Sequence, residues 1–298
     1  MTTDTSVRTA GAAVRPGRHT TPRTMPSGRP WSRYLLRAVV VLYLALLVIW
    51  PVLLVGTRTF SHGVGPVLAA VRDPALVFAF QLTLVSALWA VALNTVFGVG
   101  ISLLLVRHRF PGRRVLSALV DLPMSVSPVV VGLALLLVYG GTTGWFGPFL
   151  KDAGLQIIYA PPGIVLATTF VCLPLVIREV VPVLIEAGTD AEQAAESLGA
   201  GPWQVFTLIT LPTIKWAVVY GVVLSFARAL GEFGAVKIVS GGVAFRTQTA
   251  TLLVEERYQQ FGVANATTAY TAALLLTVIA LVALIVVAVL RPSQENRA

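Results

Sequence analysis

A chain of 298 residues that is 56% hydrophobic and 12% charged, with mean hydropathy +0.82, is too apolar for a soluble globule. Its net charge of +9 is unevenly placed: residues 1–37 carry seven Arg against one Asp, a net of +6, which leaves +3 for all that follows. A basic segment directly before a first hydrophobic run is what membrane orientation asks of a cytoplasmic N-terminus, and it explains the basicity better than nucleic-acid binding does. The single Cys172 excludes a disulfide framework and a thiolate metal cluster; set in an apolar run, it reads as an inert buried thiol.

Residues 1–37 are rich in Thr, Arg, Gly and Pro and are expected to be a disordered basic tail. The hydrophobic segment that follows is too long for a cleavable secretory signal and lacks a small-x-small cleavage site; Met1 and Met25 both offer a start. A helix needs about 20 mainly apolar residues to cross a bilayer. On that measure the chain holds six spans: Ala38–Thr57, a second within Pro74–Val106, a third from Leu119 to Gly140, a fourth from Pro162 to Ile177 or on to Ile185, a fifth from Trp216 to Leu230, and Tyr270–Leu290. Residues 291–298 make a short cytoplasmic tail. The fold class is therefore all-α and integral to the membrane, with both termini in the cytoplasm.

Loop charges agree with this orientation. Arg107, His108, Arg109, Arg113 and Arg114 crowd the second connection, whereas the first carries only Arg58, Arg72 and Asp73 and the third only Lys151 and Asp152. Short cytoplasmic loops collect Lys and Arg. The fourth connection, on the same side by this count, is instead acidic, with Glu179, Glu186, Asp190, Glu192 and Glu196. A loop that breaks the basic bias is under some other constraint.

Its residues describe a compact two-helix plug. Thr189 can cap a helix, with Glu192 completing a capping box. Ala191, Ala194, Ala195 and Leu198 then fall on one face, away from Gln193 and Glu196. Gly199 suits the left-handed conformation that ends a helix, and Gly201-Pro202 can begin a second one. That helix would carry Trp203, Phe206 and Ile209 toward a surface and stop before Pro212. Such a plug serves either as packing for its own bundle or as a contact for a soluble partner.

The spacing of Gln193-Ala194-Ala195, three residues, Gly199, nine residues, Ile209, one residue, Leu211-Pro212 resembles the docking loop of ABC importer permeases, which reads Glu-Ala-Ala at its start. Gln193 is the one departure; it loses a charge but keeps a long polar side chain, and Glu192 and Glu196 stand ready to compensate. The resemblance implies that residues 186–213 dock on a cytoplasmic ATP-binding subunit, through Glu192, Gln193, Ala194, Ala195, Leu198, Gly199, Trp203, Phe206, Ile209, Leu211 and Pro212. It covers roughly residues 75–290. Arg109–Arg113, Asp121-Leu122-Pro123, Ser127–Gly132 and Gly163–Thr168 are similar to sulfate and molybdate permeases. Ala227–Val236, Val239-Ser240-Gly241 and the stretch from Gln248 to Phe261 are similar to the W-type membrane subunit of bacterial sulfate/thiosulfate importers.

What this resemblance implies is a type I importer permease fold in the bacterial cell membrane, binding no cofactor itself. ATP and Mg would sit on the ATPase dimer, and the further partners would be a T-type permease subunit and an external sulfate-binding protein. Residues 1–57 would wrap the partner subunit. A molybdate or other oxyanion permease is the alternative, because molybdate permeases share the earlier motifs.

An anion path needs weak, fixed donors rather than a cluster of Arg, since a hydrated dianion must be released. Ser125, Ser127 and Pro128 interrupt the third span, either lining a cavity or forming a Pro kink whose hydroxyls bond their own backbone. Arg228 and Glu232 share a helix face near the outer end of the fifth span. They serve either to attract and gate the anion or as an interfacial ion pair. Asp121 is expected to pair with Arg113 or Arg114. A secondary transporter would need a mid-span relay of carboxylates or histidines, and a membrane enzyme would need a nucleophile and base, a phosphate-cradling loop or metal spacing. Neither pattern is present in the sequence, so the chain is expected to be a non-catalytic subunit.

Overall fold

The computed structural model describes residues 30–142 and 144–290, and among them every regular element is helical. In chain order the helices are α1 (Pro30–Leu44), α2 (Trp50–Thr59), α3 (Val64–Val71), α4 (Pro74–Arg107), α5 (Arg113–Ser125), α6 (Pro128–Tyr139) and α7 (Gly147–Asp152). They continue with α8 (Pro161–Ala187), α9 (Asp190–Ser197), α10 (Pro202–Val205), α11 (Leu211–Leu230), α12 (Gly234–Ser240), α13 (Ala250–Gln259) and α14 (Val263–Leu290). Apolar surroundings offer no water to an unpaired backbone group, so the chain satisfies its amides within each segment. Five stretches are long and apolar enough to cross a membrane: Tyr34–Thr59, Pro74–Arg107, Pro161–Ala187, Pro202–Leu230 and Val263–Val289. The pair α5 and α6 makes a sixth only as a broken span, bent by 115°.

The interruption expected at Ser125, Ser127 and Pro128 is thus a full break between two helices, and the first of them begins at Arg113 rather than Leu119. Val126 and Ser127 are extended, and Pro128 opens α6 where its missing N–H is not needed. Other expected boundaries move as well. The fourth span runs from Pro161 to Ala187 straight through Pro174 and Pro182, the last begins at Val263 rather than Tyr270, and residues 30–37, assigned above to the tail, are helical. The rest of the tail and residues 291–298 lie outside the described residues.

The chain divides into two units, Met1–Pro51 and Val52–Ala298. In the first, α1 passes into one wide π turn, Ala45–Ile49, closed by the Trp50 N–H on the Ala45 carbonyl. Pro51 follows at once. A proline ring clashes with the carbonyl four residues back, and a turn wider by one residue relieves that clash.

The second unit is built around α8. Val176, Val180 and Leu184 of α8 pack with Val99 of α4 and Ile214 of α11 at one level. Cys172 meets Ala87, Ala229 and Leu230 at the next, and Ala167 and Val171 meet Val131, Ala235 and Val239 beyond that. Lipid tails are as apolar as these side chains, so close packing rather than water exclusion must hold the helices together. Small residues provide it: a Cβ on Gly221 would lie 2.9 Å from the Val176 Cα, and one on Gly98 would lie 3.0 Å from the Val176 Cβ. Some hydroxyls inside the bundle turn back on their own helices, as Thr83 does to Ala79 at 2.7 Å and Ser102 to Gly98 at 2.6 Å.

The contact between α6 and α12 is the tightest of these approaches to test. A Cβ on Gly132 would stand 2.8 Å from both the Ala235 carbonyl oxygen and the Ile238 Cβ, so the two helices must separate to admit it. Gly132→Ala is expected to cost about 1–3 kcal/mol, read as a lower thermal unfolding midpoint of the detergent-solubilised protein. Gly100→Ala, whose Cβ would meet nothing within 4 Å, should leave the midpoint unchanged.

Candidate functional site

The connection between α8 and α11 sits at the end of the bundle where α4 and α8 finish, beside the basic connection that begins at Arg107. Helix α9 ends as its sequence requires: Gly199 adopts φ +90°, and the Ala200 N–H reaches the Ala195 carbonyl at 3.0 Å. Its start departs from expectation. The Thr189 side chain caps no backbone amide; its hydroxyl accepts from the Gln193 amide at 2.9 Å. The reaching-back half of a capping box forms one helix later, where the Gly201 N–H donates to Gln204 Oε1 at 2.8 Å.

Thr189 has near-helical backbone angles rather than those of a side-chain cap, and Glu192, its expected partner, points inward. Its Oε2 lies 2.9 Å from Arg107 Nε, and its Oε1 accepts from Arg107 Nη2 at 3.1 Å and from the Thr210 hydroxyl at 2.8 Å. Arg107 Nη1 donates in addition to the Leu184 carbonyl at 3.1 Å. Glu192 is therefore not available to stand in for the missing carboxylate at Gln193, which is exposed.

The second helix of the loop does not stop before Pro212. It runs from Pro202 to Leu230 with a π turn at Phe206–Thr210, closed by the Leu211 N–H on the Phe206 carbonyl. This is the arrangement already seen ahead of Pro51, and again the wide turn spares a proline the carbonyl behind it. The turn aims Thr210 at Glu192. The aromatic residues expected on one surface are divided. Trp203 is 74% exposed, whereas Phe206 packs against the cluster of Val99, Val176 and Ile214. Their rings still touch, with centroids 5.7 Å apart. Ile209 is half-buried, and Leu211 and Pro212 are exposed. Leu198 is 90% exposed and Leu208 73% exposed. The outward face thus presents Ala191, Gln193, Ala194, Leu198, Trp203 and Leu208, with Ala195 half-buried beneath it.

At the far end of α11, Arg228 and Glu232 form the expected pair, 2.7 Å apart. The Glu232 side chain is buried at 1% exposure while that of Arg228 is 41% exposed. Glu232 also caps α12, accepting from the Ala235 N–H at 3.0 Å, and its carbonyl accepts from the Thr251 hydroxyl at 2.9 Å. Thr83, Ser86, Thr168 and Thr249 line a small cavity beside it. The break between α5 and α6 lies close by, since a Cβ on Gly234 would be 3.1 Å from the Pro128 Cβ. Ser127, exposed, is thereby brought to the same region. Ser125 is not: it ends α5, where its hydroxyl reaches toward the Asp121 carbonyl at 3.5 Å.

Asp121 does not pair with Arg113 or Arg114. It takes a two-pronged contact from Arg178 of α8, at 3.1 Å from Nε and 2.9 Å from Nη2. Both side chains are half exposed, so the pair contributes little to stability. The residues that sequence reasoning missed are Arg107 and Thr210. Arg107 is one of five basic or histidine side chains in its connection, and nothing in the sequence singles it out. Thr210 acquires its role only through the π turn.

This architecture is shared by solved importers. The fold aligns with the membrane part of a bacterial alginate ABC transporter at a TM-score of 0.72 and 17% identity, over 86% of this chain and 92% of that one. It aligns with the MetNI methionine ABC transporter at a TM-score of 0.54 and 20% identity, over 72% and 94%. Sequence relatives are nearer. The sulfate transport system permease protein CysW of Synechococcus elongatus is 48% identical, over 86% of this chain and 89% of its own length. Its Escherichia coli K12 namesake is 42% identical over 90% of each. The sulfate transport system permease protein CysT of E. coli K12 is 42% identical over 64% of this chain and 69% of its own length. Residues 94–296 match the family described as the binding-protein-dependent transport system inner membrane component. With the spans, the broken helix pair and the outward-facing loop all in place, this multi-pass membrane protein belongs to that family.

Proposed function

We propose that this chain is the membrane-spanning permease subunit of an ATP-driven sulfate/thiosulfate importer. The observation that carries the coupling role is the face presented by Leu198 and Trp203, 90% and 74% exposed on a polar loop at one end of the bundle. Small residues around two large apolar ones make a surface that a soluble protein can cover closely, and aromatic anchors supply most of the binding energy at such contacts. The occupant is a cytoplasmic ATP-binding subunit, and two of these closing on ATP would draw the loops of paired permeases together. The other permease is a T-type companion, and an external binding protein delivers the anion. ATP and Mg belong to the ATPase; this chain performs no chemistry.

The anion assignment rests on the names of the relatives. Within the chain, Ser127 and Arg228 are the side chains best situated to meet a passing dianion. Glu232 neutralises part of the Arg228 charge and fixes its position, which suits a path that must release what it binds. The guanidinium remains 41% exposed, so donors are left over for a solute. Ser125 contributes at most to the bend.

Three outcomes are expected. Leu198→Asp combined with Trp203→Ala should weaken retention of the ATPase during purification about thirty-fold, with the permease still folded. Arg228→Gln should lower sulfate uptake about ten-fold, the worth of one charge-assisted hydrogen bond; uptake at the wild-type level with intact assembly removes Arg228 from the path. In proteoliposomes holding the full complex, the sulfate-loaded binding protein should stimulate ATP hydrolysis. Stimulation by molybdate alone would refute sulfate as cargo and leave the permease assignment standing.

A further inference from the structure

Glu192 and Gln193 are neighbours in the docking loop, yet they face opposite ways. Gln193 lies on the exposed side. Glu192 turns into the bundle, where its Oε1 accepts from Arg107 Nη2 at 3.1 Å and from the Thr210 hydroxyl at 2.8 Å, and its Oε2 makes an ionic contact with Arg107 Nε at 2.9 Å. Arg107 spends its remaining nitrogen on the Leu184 carbonyl at 3.1 Å. One carboxylate and one guanidinium thus tie α9 to the last residue of α4, to the final turn of α8, and to the π turn that leads into α11. The covalent link from α8 to α9 is weak by comparison: it passes through Gly188, at φ +66° and with open space around its missing Cβ. A loop held by that hinge alone would swivel when pushed.

We propose that Arg107, Glu192 and Thr210 form the linkage that makes the docking loop move as one body with α4, α8 and α11. This rests on the permease reading above. The two charged side chains are only 14% and 16% exposed, so salt screens the pair little. The guanidinium hydrogen-bonds two helices at once, Glu192 of α9 and the Leu184 carbonyl of α8, which resists rotation as a single hydrogen bond does not. Glu192 and Arg107 are positioning residues: they act through the helices they join and touch neither solute nor ATP. The π turn ahead of Pro212 belongs to the same device, because it turns Thr210 toward the carboxylate. The linkage carries the displacement of the loop, imposed by the ATPase, into the helices that form the core.

The test uses the complete complex in proteoliposomes with sulfate-loaded binding protein. Glu192→Gln keeps the shape and removes the charge, Arg107→Lys keeps the charge and removes the fork, and Thr210→Val removes one hydrogen bond. The linkage predicts that all three variants retain the ATPase within about two-fold of wild type while sulfate moved per ATP hydrolysed falls. The fall should be about ten-fold for the first two and about three-fold for Thr210→Val. Thr210→Val, the mildest change, carries the test should either charged variant fail to assemble. Loss of the ATPase from Glu192→Gln would overturn the proposal by placing Glu192 on the docking face. Unchanged sulfate per ATP in the variants would overturn it by reducing the cluster to a brace. A wild-type chain that binds no ATPase would sink the permease reading itself and the linkage with it, which keeps the two failures apart.

Discussion

Every backbone amide and carbonyl in this protein must find a partner without help from water over most of its length, and the rest of the structure follows from that requirement. It leaves helices as the only regular element among the described residues. It also decides how the chain handles its prolines. Pro51 and Pro212 are each preceded by a π turn in which the hydrogen bond spans one residue more than usual. Pro174, buried, and Pro182, exposed, both lie inside α8 without ending it. Pro128 instead opens a new helix after two extended residues. The same residue type thus widens a turn, is absorbed, or breaks a span, according to what surrounds it.

Close approach between helices is the second consequence. With no water to expel, attraction comes from contact alone, and α8 is approached at Val176 by glycines from both sides, Gly98 of α4 and Gly221 of α11. Several polar side chains inside this packing turn back on their own helix or close a specific bond between helices. Thr83 does both, donating to Ala79 and accepting from the Ala250 N–H at 2.8 Å. Glu232, almost wholly buried, is held by Arg228 and an amide of α12. A buried carboxylate without those partners would be costly.

Much of the fold was legible from periodicity and length, because a run of apolar residues long enough to cross a bilayer has few alternatives. The two-helix shape of the loop was legible from its caps, and Gly199 and Gly201-Pro202 behave as their local chemistry requires. What failed was direction. The loop residues expected to look outward together, Trp203 and Phe206, are parted, and Glu192 turns inward to Arg107. Both directions are set by which side of the loop packs on the bundle: Phe206 joins the cluster of Val99, Val176 and Ile214, and Glu192 meets Arg107. Asp121 failed for a different reason. A charge chooses its partner by proximity in space, and Arg178 of α8 is nearer than the Arg residues beside it in sequence.

By itself the sequence determined that this is a helical membrane protein with a polar two-helix loop, since hydrophobic length, loop charge and cap residues act locally and can be read locally. The tertiary structure alone decided that the third span is bent through 115°. It alone decided that Glu192 faces the bundle while Gln193 faces out, and that Arg107 rather than any of its basic neighbours joins the loop to the core. The physical reason is common to all three. Each depends on which groups come within hydrogen-bonding reach once helices distant in the chain have packed, and no local pattern encodes that distance.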